Sequence, residues 1–509
     1  MPKTKIDNFA TQSWTTPMLR TCTQEIKNPL EGKITGSIPS WLQGTLIRNG
    51  SGAIKIGNSE FGHVFDGSAL LHRFSIKGGR ATYQCRFLDS KTLRKNRAAN
   101  RIVVTEFATE AVPDPCHTIF DRISTIFNPA EAVTDNCGIS VCPFGDQMYA
   151  MTEYTNVYKI DPESLDTLEK KSLLNSLIVC HTAHPHVMKN GDVYNIALGV
   201  VKGLLKHMIV KFPYTEKGDM FDLVEVIHTV DSRWLLHPSY MHSFGITENY
   251  FIIIEQPLAI SYLNSAVSYL TNRPFSSSVL WYDDYETQIV LINRHTGEQT
   301  RYTTETFFFM HIINCFELDS QLIIDVCSYK DAKIIDALYV EAIKNINSNP
   351  DYAKWCQSQA KRIEIPLNSP NNSRVEMSVI ADIPIETPRI NYELYNGRPY
   401  RYFYGMGPQV HSIYGGTIIK VDTKSGEVKT WCEVDAHPSE PVFVARPDAQ
   451  DEDDGVLLSA LLWGSDENAT ALLVLDARDL TELGRVRFTT PSHAPKCFHG
   501  WYLPDTNST

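Results

Sequence analysis

Four times along this chain a β-prone run ends in Asp or Asn, a tight polar turn follows, and a second run begins. The units are Val157-Tyr158-Lys159-Ile160-Asp161-Pro162-Glu163-Ser164, Val290-Leu291-Ile292-Asn293-Arg294-His295-Thr296-Gly297, Ile419-Lys420-Val421-Asp422-Thr423-Lys424-Ser425-Gly426 and Leu473-Val474-Leu475-Asp476-Ala477-Arg478-Asp479-Leu480. Asp and Asn side chains accept from the amides just ahead of them and Gly supplies positive φ, so each unit predicts a β-hairpin. Runs such as Phe251-Ile252-Ile253-Ile254 and Gln321-Leu322-Ile323-Ile324-Asp325-Val326 are short, β-branched and bounded by polar turns, as strands are. The chain therefore reads as all-β. Recurring hairpins suit a radial arrangement of blades. Their spacing is too irregular to count blades, and hairpins stacked in a sandwich are the competing arrangement. One helix is predicted over 331–347, where Ile334, Ile335, Leu338, Ile343 and Ile346 are apolar.

Bulk properties narrow the partners. A net charge of −12 argues against nucleic acid, because phosphate binding needs a basic surface. An apolar content of 43% is enough for a large core. No stretch approaches the ~18 uninterrupted apolar residues of a membrane-spanning helix, and residues 1–14 lack the apolar run of a signal peptide. Eleven cysteines, an odd number without CxxC pairs, fit a reducing cytosol better than a disulfide framework. A cytoplasmic location is expected.

Among 16 histidines, four sit in contexts that read as a metal site: His184 in Ala183-His184-Pro185-His186, His242 in Met241-His242-Ser243-Phe244-Gly245, His311 in Met310-His311-Ile312 and His499 in Phe498-His499-Gly500. They are too far apart for one helix or hairpin, so four separate elements would have to converge. Four neutral imidazoles suit Fe(II), Zn, Cu or Ni. Spacing alone does not lift these four above the other histidines. His186 shares a motif with His184, and an extended backbone before Pro185 would turn both to the same side.

These segments resemble the carotenoid cleavage oxygenase family, from about Gly32 to Leu503. The likeness rests on several motifs in the family's order. They are Gly44-Thr45-Leu46-Ile47-Arg48-Asn49-Gly50, Phe65-Asp66-Gly67-Ser68-Ala69-Leu70-Leu71-His72, Pro438-Ser439-Glu440-Pro441-Val442-Phe443-Val444 and Glu452-Asp453-Asp454-Gly455. Pro113-Asp114-Pro115-Cys116 is similar to a motif of the animal branch, and within that branch the chain resembles the insect isomerooxygenases.

The resemblance implies a seven-bladed β-propeller, with a cap of loops and short helices over a metal centre. It implies one domain over 1–509, with about 1–30 as an N-terminal extension. Fe(II) would be held by His184, His242, His311 and His499, and each of Glu153, Glu386 and Glu440 would take a proton donated by a ligand imidazole. His181, His186, His237 and His493 would not be ligands. No catalytic side chain is expected outside the metal shell. The implied reaction is cleavage of a carotenoid by O2 at the central 15,15′ double bond to retinal-type aldehydes, with all-trans to 11-cis isomerisation of one half serving vision. The alternatives on the same fold are a plain 15,15′-dioxygenase and a retinyl ester isomerohydrolase. A non-catalytic carotenoid-binding propeller is the remote one.

Carotenoids reside in membranes, so peripheral contact with lipid is expected. Apolar residues flanked by lysines and aromatics are what interfacial segments use. Candidates are Leu198, Val200, Leu204 and Leu205 beside Lys202 and Lys206; Trp234, Leu235 and Leu236; and Leu258, Tyr262, Leu270 and Phe275. Cys116, followed by Ile119 and Phe120, is a candidate for S-acylation. Phe307, Phe308, Phe309 and Tyr154 are candidates to steady the polyene in a tunnel, against ordinary core packing as the alternative.

Overall fold

The computed structural model describes residues 15–112, 134–173 and 178–505, without the side chains of Tyr269 and Leu270. Seven sheets of four to six strands account for almost all of the strand residues. In chain order they form blade 1 (44–87 with 26–31 and 499–504), blade 2 (140–172), blade 3 (178–231), blade 4 (245–304 with 373–374), blade 5 (308–381), blade 6 (386–431) and blade 7 (436–489 with 33–36).

The ring is legible in the core. Leu46 and Phe74 of blade 1 share a cluster with Leu458 and Leu472 of blade 7, whereas Ile47 and Leu71 share one with Val141 and Ala150 of blade 2. The same exchange links blades 2 and 3, 3 and 4, 4 and 5, 5 and 6, and 6 and 7. Successive side chains of a strand point to opposite faces, so Ile252 packs toward blade 5 and Ile253 toward blade 3. Both faces of a blade are buried, and this is why the strands read as continuous apolar runs rather than alternating ones. The expectation of an all-β seven-bladed propeller is borne out.

The predicted hairpins share one geometry. Asp161, Asn293, Asp422 and Asp476 each accept, through the side chain, from the amide two residues on. The fourth residue on has positive φ and returns its amide to the carbonyl of the Asp or Asn. That residue is Gly297 or Gly426 in two hairpins and Leu165 or Leu480 in the other two.

The chain termini close the ring twice. Lys33–Gly36 pairs with the last hairpin of blade 7, and His499–Pro504 pairs with Gly44–Ala53 of blade 1. Of the expected N-terminal extension over about 1–30, the described residues from 15 on are built into the fold. Met18 is buried, Cys22 N donates to Gly52 O, and Ile26–Glu31 is a strand of blade 1. The predicted helix over 331–347 is broken into Lys333–Ala337 and Val340–Lys344. Between them the backbone bridges to the 62–64 segment: Val64 N donates to Leu338 O and Val340 N to Gly62 O. These short helices and the turn Thr16–Leu19 pack on Phe308, Met310 and Tyr329 as a cap.

Candidate metal centre

Each blade supplies one residue to a single point. Glu153 leaves the second strand of blade 2, and His184 lies in the turn between Ile178–His181 and His186–Val187 of blade 3. His242 precedes the first strand of blade 4, and His311 lies within Phe308–Leu318 of blade 5. Glu386 opens blade 6, Glu440 joins Ala436–Pro438 to Val442–Ala445 in blade 7, and His499 begins the strand that closes blade 1. Local irregularity aims some of these side chains. Register shifts bracket Ile312, a bulge that turns His311 inward. The Ser243 hydroxyl secures it, donating to Met310 O at 2.6 Å and accepting from Ile312 N at 3.2 Å.

The four imidazoles offer nitrogens that all lie within 4.8 Å of one another. Nε2 of His242 is 3.1 Å from Nε2 of His184 and 3.2 Å from Nε2 of His311. The opposite ring nitrogens meet carboxylates: His242 Nδ1 to Glu153 Oε1 at 2.5 Å, His311 Nδ1 to Glu386 Oε2 at 2.6 Å, and His499 Nδ1 to Glu440 Oε1 at 2.9 Å. An imidazole that donates from Nδ1 carries a lone pair on Nε2. Lone pairs converging at this distance repel unless a cation sits among them. Metal–imidazole bonds of about 2.0–2.1 Å place neighbouring ligand nitrogens about 3 Å apart, so the donor set fits a divalent ion.

The three histidine–carboxylate pairs differ in how the carboxylate is held. Glu153 also accepts from the Tyr240 hydroxyl at 2.7 Å. Glu386 Oε2 accepts from Thr387 N at 2.6 Å, and its Oε1 is buried without a hydrogen-bond partner. Glu440 is gripped by Arg389, Nε to Oε1 at 2.9 Å and Nη2 to Oε2 at 3.1 Å, with Arg48 at 3.7 Å and Gly500 N donating at 3.0 Å. Burial alone would raise the Glu440 carboxyl, but Arg389, His499 and Arg48 outweigh it and hold it well below the carboxylate range. Burial, reinforced by the neighbouring histidines, holds His184 well below its ordinary value. Arg48 explains the Gly44–Gly50 motif: fully buried, it donates to the carbonyls of Glu440 and Phe498 and so ties the two ends of the chain to the site. Tyr240 and Arg389 went unmarked in the sequence, and Arg48 stood there only as one residue of a motif, because pairing across blades leaves no local signal.

Of the other histidines, His186 meets Tyr392 Oη at 3.1 Å and Phe244 O at 3.0 Å, and His237 meets Tyr282 Oη at 2.6 Å. His181 turns to Thr182 O, and His493 pairs with Glu467. All four lie outside the cluster. Phe307, Phe308 and Phe309 are core residues between blades or under the cap. Tyr154 lies near Phe275, with ring centroids 6.4 Å apart.

Two cavities of about 120 Å³ each reach the histidines. One runs among polar groups such as Ser140, Asn314, Arg389 and Asn396. The other is apolar, lined by Met18, Phe65, Met310, Leu338, Met406 and Phe498 beside His242, His311 and His499.

The interfacial candidates divide. Leu235 and Leu236 are exposed, as are Val200 and Leu204, whereas Leu205, Trp234, Tyr262 and Phe275 are half-buried. Leu198 and Leu258 are corrections, at 4% and 3% exposed. Leu198 lies between Cys180 and His207 in the middle of blade 3, while Val200 lies one residue beyond Gly199, the last partner of that strand among the described residues. Leu258 packs under the cap with Phe308 and Tyr329. Leu270 lies in helix Tyr262–Thr271, with its side chain outside the description. Cys116 lies outside the described residues. The cysteines among the described residues are free thiols.

Residues 19–504 match the family described as retinal pigment epithelial membrane protein. The chain belongs to this family of carotenoid oxygenases. It is 58% identical to a carotenoid isomerooxygenase of Galleria mellonella, over 96% of each chain. It is 40% identical to the carotenoid isomerooxygenase of Drosophila melanogaster, over 96% of this chain and 92% of that one. A β,β-carotene 15,15′-dioxygenase of Mus musculus is 36% identical, over 95% and 91%. Among solved structures, an apocarotenoid oxygenase of Synechocystis matches with a TM-score of 0.76 at 22% identity, over 97% of this chain and 98% of that one, and shares the fold.

Proposed function

We propose that this member of the family cleaves a carotenoid at its central 15,15′ double bond with O2, giving two retinal-type aldehydes, and twists one half from all-trans to 11-cis as it does so. The observation that carries the reading is a four-histidine site opening onto an apolar cavity, in a chain 58% identical to an isomerooxygenase. The ion is Fe(II) in this reading, held by His184, His242, His311 and His499, and when bound it supplies the activation of O2 beside the polyene. The chain's own residues do the rest. Glu153, Glu386 and Glu440 take the Nδ1 protons of three ligands, fixing tautomer and ring angle. Phe65, Met310, Leu338 and Phe498 wall the polyene from water. The 11-cis product would serve as visual chromophore.

Peripheral contact with a lipid surface belongs to the same reading. Helix Tyr262–Thr271 exposes Leu263 at 61% and Val267 at 54%, residues one turn apart on one face. Tyr262 N donates to Leu236 O, which sets that helix beside the exposed Leu235 and Leu236. No helix among the described residues is long and apolar enough to cross a membrane. A cytoplasmic protein that docks on a bilayer from one side accounts for both observations.

The plain dioxygenase is the second reading, favoured by the murine relative's name. Incubation with an all-trans carotenoid, with and without O2, followed by chromatography of the aldehydes separates the two. One 11-cis and one all-trans aldehyde, formed only with O2, is the expected result. Two all-trans aldehydes would remove the isomerisation, and no aldehyde would overturn the reading.

A further inference from the structure

A chain of net charge −12 carries five cations and no acid within residues 91–101. Lys91, Arg94, Lys95 and Arg97 lie on the helix Lys91–Ala99, and Arg101 follows its left-handed cap at Asn100. The helix buries Thr92, Leu93 and Asn96, with Leu93 in the core of blade 1. At about 3.6 residues per turn the cations fall on its other sides. Arg94 is 60% exposed and pairs with Asp89 at 2.9 Å. Lys95 and Arg97 are exposed and Arg101 is half-buried. Among the described residues these three enter no ion pair, and Arg97 lies over the Phe87 ring.

The helix is fastened to the surface that exposes apolar side chains. Val103 N donates to Asn96 Oδ1 at 2.8 Å, and Val112 N donates to Ile102 O, so the segment 102–112 folds back beside the helix. Asn272, the residue after helix Tyr262–Thr271, ties in from the other side. Thr105 Oγ1 donates to Asn272 Oδ1 at 2.6 Å, and Asn272 Nδ2 donates to Ala111 O at 3.3 Å. The basic helix is thus joined, through one short segment, to the helix that exposes Leu263 and Val267. Val112, itself 40% exposed, and the exposed Arg273 lie at the junction. Exposed apolar residues flanked by a cluster of cations suit the surface of an anionic bilayer. Charges act over a Debye length of about 8 Å at physiological salt. A local cluster of cations therefore outweighs acids spread over the rest of the molecule.

We propose that helix Lys91–Ala99, with Arg101, docks on the anionic headgroups of a phospholipid leaflet, and that this chain therefore prefers bilayers containing anionic phospholipid to zwitterionic ones. The inference rests on the lipid-docking reading and deepens it by naming the class of lipid. The leucines enter the hydrocarbon, and the cations decide which leaflet is chosen.

The test is sedimentation of the full chain with vesicles of phosphatidylcholine alone and of equimolar phosphatidylcholine and phosphatidylserine. Each cation near such a surface strengthens binding about fivefold. Wild type is expected to bind the mixed vesicles about 10–100-fold more tightly, and added salt to remove that preference while binding to phosphatidylcholine persists. The triple variant Arg94→Gln, Lys95→Gln, Arg101→Gln is expected to lose most of the preference, with its binding to phosphatidylcholine and its circular dichroism unchanged. Equal wild-type binding to both vesicles overturns the proposal and leaves the docking reading standing. A preference undiminished in the triple variant overturns it as well. Binding to neither vesicle overturns the docking reading together with the proposal. If wild type is then retained on heparin and the triple variant is not, the helix serves a polyanionic macromolecule instead.

Discussion

Arg389 forks onto Glu440, Nε to Oε1 at 2.9 Å and Nη2 to Oε2 at 3.1 Å, and Glu440 Oε1 in turn lies 2.9 Å from His499 Nδ1. The guanidinium is therefore one step removed from an imidazole of the centre. Among the described residues, Glu153 and Glu386 have no such cation in hydrogen-bond contact: a tyrosine hydroxyl and a backbone amide take its place. Removing Arg389 leaves a carboxylate that is 3% exposed short of its main counter-charge. Breaking a buried pair from one side costs about 3–5 kcal/mol. Arg389→Met is expected to lower the urea midpoint accordingly and to reduce bound metal on purification. An unchanged midpoint with full metal content would show that Arg48 alone suffices.

Glu153 has a different role from Glu440, because it is not held by arginine. Its Oε1 accepts from Tyr240 and from His242 Nδ1 together. Glu153→Gln keeps the shape but removes the charge that holds the His242 tautomer. The expected loss is about 10–100-fold in metal affinity or activity, measured by competition with a chromogenic chelator and by aldehyde formation. Retained affinity would remove Glu153 from the metal shell.

The hairpins show what could be read from the sequence and what could not. Gly297 and Gly426 mark the positive-φ position openly. Leu165 and Leu480 occupy it unannounced, at 0% and 3% exposure, because their side chains fill interblade cores. The all-β class and the hairpins were legible in local chemistry. The number of blades was not, since strands buried on both faces carry no alternation to mark them. Residues 331–347 carried a helical apolar pattern, yet the 62–64 segment broke it by pairing with Leu338 and Val340. At the site, the histidines and glutamates stood out through family motifs. Tyr240 and Arg389 did not, because each acts on a glutamate distant in sequence.

Leu480 sets two of these effects against each other. Replacing it with Gly relieves a left-handed backbone that costs about 1–3 kcal/mol but empties a buried leucine site, worth about 2–5 kcal/mol. Packing is expected to win, with Leu480→Gly less stable by about 1–3 kcal/mol. Gly426→Ala adds to the backbone term, at φ +73°, only a Cβ set 3.2 Å from Ile380 O, and is expected to cost about 1 kcal/mol or somewhat more. Denaturant titration of both variants checks the order. A stabilised Leu480→Gly would mean that strain, not packing, dominates these turns.

His72 ties stability to pH. It is 5% exposed, its Nδ1 lies 2.8 Å from the Tyr83 hydroxyl, and its Nε2 is buried without a partner. Burial, with Arg48 adding, lowers it to about 3. In the unfolded chain it titrates near 6.5. Below that pH the unfolded state takes a proton that the folded state refuses. The contribution is therefore fully present above about 6.5 and is lost as pH falls toward 3, at up to about 1.4 kcal/mol per pH unit. His72→Gln is expected to flatten the decline of the urea midpoint between pH 6.5 and 4.5 by about one proton's worth. An unchanged slope would place the acid sensitivity elsewhere.

The lipid-docking reading turns on three leucines. Leu235, Leu236 and Leu263 are 58%, 47% and 61% exposed, and the Tyr262–Leu236 hydrogen bond holds their segments side by side. Each leucine inserted into hydrocarbon contributes about 1.5–3 kcal/mol. Partial insertion of three would therefore still amount to several kcal/mol. None of the three lines either cavity that reaches the histidines, so changing all three to Ser leaves the histidines and their carboxylates untouched. The triple variant is expected to lose more than tenfold in sedimentation with phosphatidylcholine vesicles. Cleavage of a carotenoid presented in detergent micelles should stay near the wild-type rate, while cleavage of the same carotenoid presented in vesicles should fall. Unchanged sedimentation would move the docking surface away from these segments. An equal loss in micelles and vesicles would show instead that the leucines serve the cavity rather than the membrane.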